Sequence, residues 1–208
     1  MIDGSPTAAT VNAFLLASPN NKAAFGVKPV YFALEQLGGG HSTGAAGSQT
    51  TYANTELTVN LSKLAVKQDL IVALAGPQQS GAGFTNLYFN ITANGVTLVS
   101  QNFTSVLAAT TYFIDHPLDL GSLASGPLNA GGTLVLDIAM DVTTASAGDS
   151  FSVTLLVGDP PPVAAGPTAL ASAMAAFGAP SGGSALAAAP AASHALASLP
   201  QLAAPALA

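Results

Sequence analysis

The chain has no cysteine, no tryptophan and no arginine in 208 residues, and its only cationic side chains apart from histidine are four lysines. Missing cysteine removes disulfides, thiolate metal sites and cysteine nucleophiles together. Charged residues are 7% of the chain, where an ordinary globular domain has roughly 25%. Ten acids against four lysines leave a formal charge of −6. Cations this sparse, with no aromatics between them, form no basic stripe for a phosphate backbone, so no nucleic-acid partner is expected. No run of about 18 strongly apolar residues is present, so no membrane-spanning helix is expected.

The opening Met1-Ile2-Asp3-Gly4 lacks the basic and apolar regions of a signal peptide. An arginine-free, lysine-poor composition is nonetheless unusual inside a cell. The expectation is a fragment of a longer exported chain, extracellular or at the cell surface. A cysteine-free domain of that kind fits a bacterial source better than a eukaryotic one. Asn-x-Ser/Thr triplets at Asn60, Asn90 and Asn102 arise by chance in a chain so rich in Thr and Asn.

What the chain does have is β-sheet texture. Hydrophobic residues are 50% of it. In Phe84–Phe103, two β-branched and aromatic runs flank Asn94-Gly95. Asn-Gly supplies the two positive φ angles of a type I′ turn, so a hairpin is expected. A two-residue turn pairs Ala93 with Val96 and Ile91 with Leu98. Leu87, Phe89, Ile91, Val96 and Leu98 then share the buried face. Asn86, Tyr88, Asn90, Thr92, Thr97 and Gln101 share the other, with Val99 as an apolar exception.

Further strands are expected at 30–37, 50–61, 70–75, 133–142 and 151–157, with another starting at Leu118. Leu134, Leu136, Ile138 and Met140 alternate with Val135, Asp137, Ala139 and Asp141, the mark of a half-buried strand. The unbroken run Leu70–Ala75 suits a strand buried on both sides. The strands at 57–61, 70–75, 133–142 and 151–157 are assigned to the layer opposing the hairpin. Gly38–Ser48 and Gly76–Gly83 read as loops. Thr104 or Ser105 caps a helical stripe of Val106, Ala109 and Phe113, which crosses between sheets. Val59-Asn60-Leu61-Ser62-Lys63-Leu64 echoes Leu118-Asp119-Leu120-Gly121-Ser122-Leu123. Repeated corner chemistry and an internal duplication both account for that echo.

Residues 1–19 are a lead segment in which Thr7 or Thr10 caps Val11, Phe14 and Leu15, ended by Pro19 and Asn20-Asn21. Residues 20–160 form the domain. After Asp159 the chain turns to Ala, Pro, Ser and Gly, with prolines at 167, 180, 190, 200 and 205, and 161–208 is expected to be a disordered tail. The fold class is all-β: an antiparallel sandwich, jelly-roll-like or immunoglobulin-like.

Gly40-His41-Ser42-Thr43-Gly44 is the one enzymatic signature. It resembles the nucleophile elbow of lipases and other α/β-hydrolases, which implies a serine nucleophile at Ser42. The elbow needs a helix next, and AAGSQTTYANTE is not one. Six aspartates, Asp115, Asp119, Asp137, Asp141, Asp149 and Asp159, have the oxygen chemistry of calcium ligands, but no D-x-D-x-D loop gathers them. Neither metal nor cofactor is expected. Asp115 and His116 offer a base pair or a turn before Pro117.

Asn86, Tyr88, Asn90 and Gln101 have the chemistry of a carbohydrate platform, a ring to stack on sugar C–H groups and amides to read hydroxyls. Texture over 84–158 resembles accessory domains of large secreted or surface proteins of Gram-negative bacteria. The functional expectation is a non-catalytic structural, adhesive or matrix module. Carbohydrate binding by the hairpin face is the first alternative, and a serine esterase at Ser42 the second. The expected partners are an extracellular glycan or another protein on an exposed sheet edge.

Overall fold

A computed structural model describes residues 2–3, 6–26, 29–65 and 67–161. In chain order its elements are β1 (Ile2–Asp3), α1 (Ala8–Leu16), α2 (Pro19–Phe25), β2 (Val30–Gly40), β3 (Gln49–Asn60), β4 (Asp69–Ser80), β5 (Asn86–Ala93), β6 (Val96–Phe103), α3 (Val106–Phe113), β7 (His116–Ser122), β8 (Thr133–Thr144) and β9 (Ser150–Asp159). They form two antiparallel sheets, β1-β2-β9-β4-β7 and β3-β8-β5-β6. Exchanging β2–β5 with β6–β9 converts the order β2-β9-β4-β7 into β6-β5-β8-β3. That internal two-fold is the double Greek key of a jelly roll, not the strand order of an immunoglobulin domain.

Alternation builds the main core. Leu134, Leu136, Ile138, Met140 and Val142 of β8 meet Phe151, Val153, Leu155 and Val157 of β9 across the sandwich. A smaller cluster lies outside the first sheet, where Val11, Leu15 and Phe25 of the two N-terminal helices cover Ile71, Ala73 and Leu156. With Leu70, Val72 and Leu74 in the main core, residues 70–75 of β4 are buried on both faces, as their unbroken apolar run requires. The N-terminal helices are therefore part of the packed unit. Thr7 caps α1 by accepting from Thr10 N, and Pro19 opens α2 at its first position rather than ending a lead segment.

Phe113 closes one end. Ser105 accepts from Ala108 N as the cap of α3, and the helix carries Phe113 from one sheet to the other. The Phe113 ring, fully buried, lies 5.2 Å from Phe89, 5.6 Å from Phe103 and 5.9 Å from Phe151. At the start of β7, Asp115 takes a positive φ of 47°, which Asp tolerates better than most residues. Its carboxylate accepts from Asn20 N and Asn21 N, both at 2.9 Å, and so caps α2 from a distant part of the chain. Ser18, the residue at the cap position, makes no side-chain cap bond.

Four expectations change. First, Ile91 pairs with Val99, not Leu98, because the register shifts between Ile91 and Thr92. The extra residue turns Val99 and Phe103 toward the core, two apolar side chains that an unbroken ladder would point outward. Gln101 turns with them. Second, Gly38–Gly40 belongs to β2 and pairs with Ser150–Ser152. A Cβ on Gly39 would lie 2.7 Å from Thr51 Cβ, and one on Gly40 2.8 Å from Ser150 Cβ. The glycine run is a strand under close approach. Third, β4 continues past Gly76-Pro77 to Ser80, with an irregularity between Ala75 and Gln78 that accommodates the proline. Fourth, β3 and β8 lie in the hairpin's own sheet, and β2, β9, β4 and β7 oppose it.

The echoed segments begin on β3 and on β7, the two strands that the exchange interconverts. Asn60 Oδ1 accepts from Ser62 N at 3.0 Å, and Asp119 Oδ1 from Gly121 N at 2.9 Å. Both are Asx turns on edge strands, at the last residue of β3 and within β7 where its pairing with β4 is irregular. The tail expected over 161–208 lies, Pro161 apart, outside the described residues.

Two substitutions separate the roles of packing and capping. Phe113→Ala empties the junction of three rings and should cost about 3–5 kcal/mol in urea unfolding. Asp115→Ala removes the distant cap of α2 and should cost about 1–2 kcal/mol.

Candidate functional site

The outward side chains of β3-β8-β5-β6 form a polar sheet face with no helix on it among the described residues. Along β8 the inward residues are buried and Val135, Asp137, Ala139, Asp141 and Thr143 point away from the core. Along β3 Thr50, Tyr52, Asn54, Glu56, Thr58 and Asn60 are all exposed. Strand registers set these residues in rows. Tyr52 stands opposite Asp141, Asp141 opposite Tyr88, and Tyr88 opposite Asn102, which makes one row across four strands. The next row is Asn54, Ala139, Asn90 and Ser100, and the one after it Glu56, Asp137, Thr92 and Thr97.

Directly paired residues lie on the same side of a sheet, so these rows are surface neighbours. Tyr52 and Tyr88 are two strand spacings apart, about 9–10 Å, with Asp141 between them. Tyr52 is 60% exposed and Tyr88 36%, which leaves ring surface available on both. The Tyr88 hydroxyl lies 3.1 Å from Ser100 Oγ, which steers the ring toward β6. In the second row Ala139 has the shortest side chain and is flanked by Asn54 and Asn90. Asn90 Oδ1 and Asp137 Oδ1 are themselves buried by their neighbours and have no hydrogen-bond partner among the described residues. All the charge on this face is negative, from Glu56, Asp137 and Asp141, because no lysine occurs in β3, β5, β6 or β8.

Three of the four residues singled out from sequence, Asn86, Tyr88 and Asn90, share this face. Gln101 does not: it pairs with Phe89 on the other side of the sheet, through the register shift described above. Tyr52 was not among the sequence candidates, and Asp141 was named there only for its oxygen chemistry toward a cation. Their parity within each strand was readable, but their meeting depends on the pairing of strands some 90 residues apart, which no local pattern encodes. No protein-family model matches the chain, and no curated protein matches it.

The Gly40–Gly44 segment takes a different form from a nucleophile elbow. The strand before it is present, but the chain after Ser42 turns and enters β3 at Gln49, with no helix. His41 is buried, with Nε2 2.7 Å from the Gly47 carbonyl and Nδ1 3.0 Å from that of Ser42. Both ring nitrogens are occupied by backbone, and Ser42 N donates to Gln49 Oε1 at 2.9 Å. The motif is a pinned turn between two strands.

The remaining polar candidates also have structural partners. His116 Nδ1 lies 2.8 Å from the Tyr112 carbonyl, apart from the Asp115 carboxylate that caps α2. Asp149 accepts from Ala82 N at 2.7 Å and Ser146 N at 3.0 Å, tying two loops together. Asp159 accepts from Gln68 N at 3.1 Å, and burial, opposed by that bond and aided by Asp69, raises its pKa.

His41 gives a pH prediction. A carbonyl only accepts, so two carbonyl partners require two N–H groups, the imidazolium form. The bonds to Gly47 and Ser42 raise its pKa above 6.5; burial opposes them and Asp149 adds to them. The folded-state pKa is the higher one, so the clamp stabilises fully below the unfolded value and is lost as pH rises through the folded value. The urea midpoint should fall on raising the pH above about 6.5, and His41→Gln should flatten that part of the profile.

Proposed function

We propose that this domain is a non-catalytic adhesive or matrix module of a secreted or surface-exposed bacterial protein, and that it engages extracellular carbohydrate through the polar face of β3-β8-β5-β6. The observation that carries the reading is the row Tyr52–Asp141–Tyr88–Asn102. Two exposed aromatic rings flank a carboxylate at a spacing that admits two pyranose rings side by side. Aromatic faces take sugar C–H surfaces, Asp141 and Asp137 accept from hydroxyls, and the amides of Asn54, Asn90 and Asn102 both donate and accept. A flat platform suits an extended chain better than a single enclosed sugar.

Absence of cations on the face argues against uronic-acid and sulfated glycans, whose charge the three carboxylates repel. Neutral polysaccharide is the favoured class. The extracellular setting is part of the same proposal and draws on the arginine-free, amide-rich composition.

A glycan array followed by titration calorimetry tests it. Neutral oligosaccharides of four or more units should be retained. Tyr52→Ala and Tyr88→Ala should each weaken binding about three- to tenfold, the effect of losing one stacked ring. Retention of no glycan, or affinity unchanged in both variants, would leave the domain a scaffold.

A further inference from the structure

We infer that the free edge of β3 pairs with β3 of a second copy of this chain, joining two sandwiches through one continuous eight-stranded sheet. An unpaired strand edge is a template for another strand, and proteins that stay monomeric blunt their edges. Three of the four edges here are blunted. β2 is partly covered by β1. β7 is seven residues long, contains Pro117, and its pairing with β4 is irregular. β6 is eight residues long, and its ladder is broken by the register shift at Ile91 and Thr92.

β3 has none of these devices. It runs twelve residues, pairs with β8 through an unbroken register from Gln49 to Asn60, and contains no proline, glycine or lysine. Among the described residues, β8 is its only strand neighbour. Its single charge is Glu56.

The strand is also complementary to itself. Across an antiparallel seam, directly opposed residues share a face, so a two-fold axis in the middle of the strand falls on a residue. With Asn54 on the axis, the two Asn54 amides meet as donor and acceptor. Tyr52 then stands opposite the partner's Glu56, a phenol donor against a carboxylate, and Thr50 opposite the partner's Thr58. An axis at Glu56 is disfavoured, because it would set carboxylate against carboxylate. The inference rests on strand geometry and is independent of the glycan reading.

A chain with no cysteine makes the test direct, because a single introduced thiol is unique. In sedimentation velocity at micromolar concentration the intact protein should run at twice its 20.4 kDa chain mass. Asn54→Cys should form a disulfide-linked dimer on mild oxidation, and Asn102→Cys on the opposite edge strand should not. Asn54→Asp gathers four carboxylates at the seam and should raise the dimer dissociation constant at least tenfold, with the circular dichroism of the monomer unchanged. A monomer at all concentrations overturns the inference. So does a dimer that Asn54→Asp leaves intact, or one cross-linked through residue 102 and not residue 54.

Discussion

Contact between Phe113 and the rings of Phe89, Phe103 and Phe151 holds the two sheets in one register. Each ring comes from a different strand, two from one sheet and one from the other. Edge-to-face and tilted arrangements add roughly 0.5–1.5 kcal/mol per pair to what burial alone contributes. The more important effect is geometric. Because α3 is the crossing between β6 and β7, Phe113 fixes where β7 begins, and Asp115, two residues later, is thereby placed to cap α2. The N-terminal helices, the double burial of β4 and the position of β7 all depend on that junction.

Covering one sheet with helices has a complement on the other. The sheet β1-β2-β9-β4-β7 has α1 and α2 packed over part of its outer face, and residues 70–75 of β4 are apolar throughout. The sheet β3-β8-β5-β6 has no helix on its outer face among the described residues, and β3, β5 and β8 alternate along their length. A two-layer sandwich needs one buried face per sheet, so the outer face of the second sheet was free to vary in chemistry. It carries hydroxyls, amides, carboxylates and two tyrosines where the fold requires only that they not be apolar.

Much of this was readable from the sequence. Alternation located β8 and β9, the Asn-Gly pair located the hairpin, and Ser105 located α3. The readings that failed share a cause. The bulge at Leu98 is decided by whether Val99 and Phe103 reach the core, a question about the layer behind. Gly38–Gly40 reads as loop by composition and becomes strand because Thr51 and Ser150 crowd it. Tyr88 and Asn90 were found for the candidate face through local pattern. Tyr52 and Asp141 required the long-range registers of β3 and β5 on β8, and Gln101 was misassigned by one residue of slip, which moves a side chain to the opposite face.

The absence of lysine from the four strands of the polar sheet has a practical consequence. Lys22 sits on α2 against the other sheet, and Lys63 follows the corner at Asn60. Amine-directed chemistry, whether a biotin ester, a fluorophore or coupling to an activated resin, therefore leaves the side chains of the Tyr52–Asp141–Tyr88 row unmodified. A protein immobilised through its lysines keeps the hydroxyl, amide, carboxylate and phenol chemistry of those four strands intact.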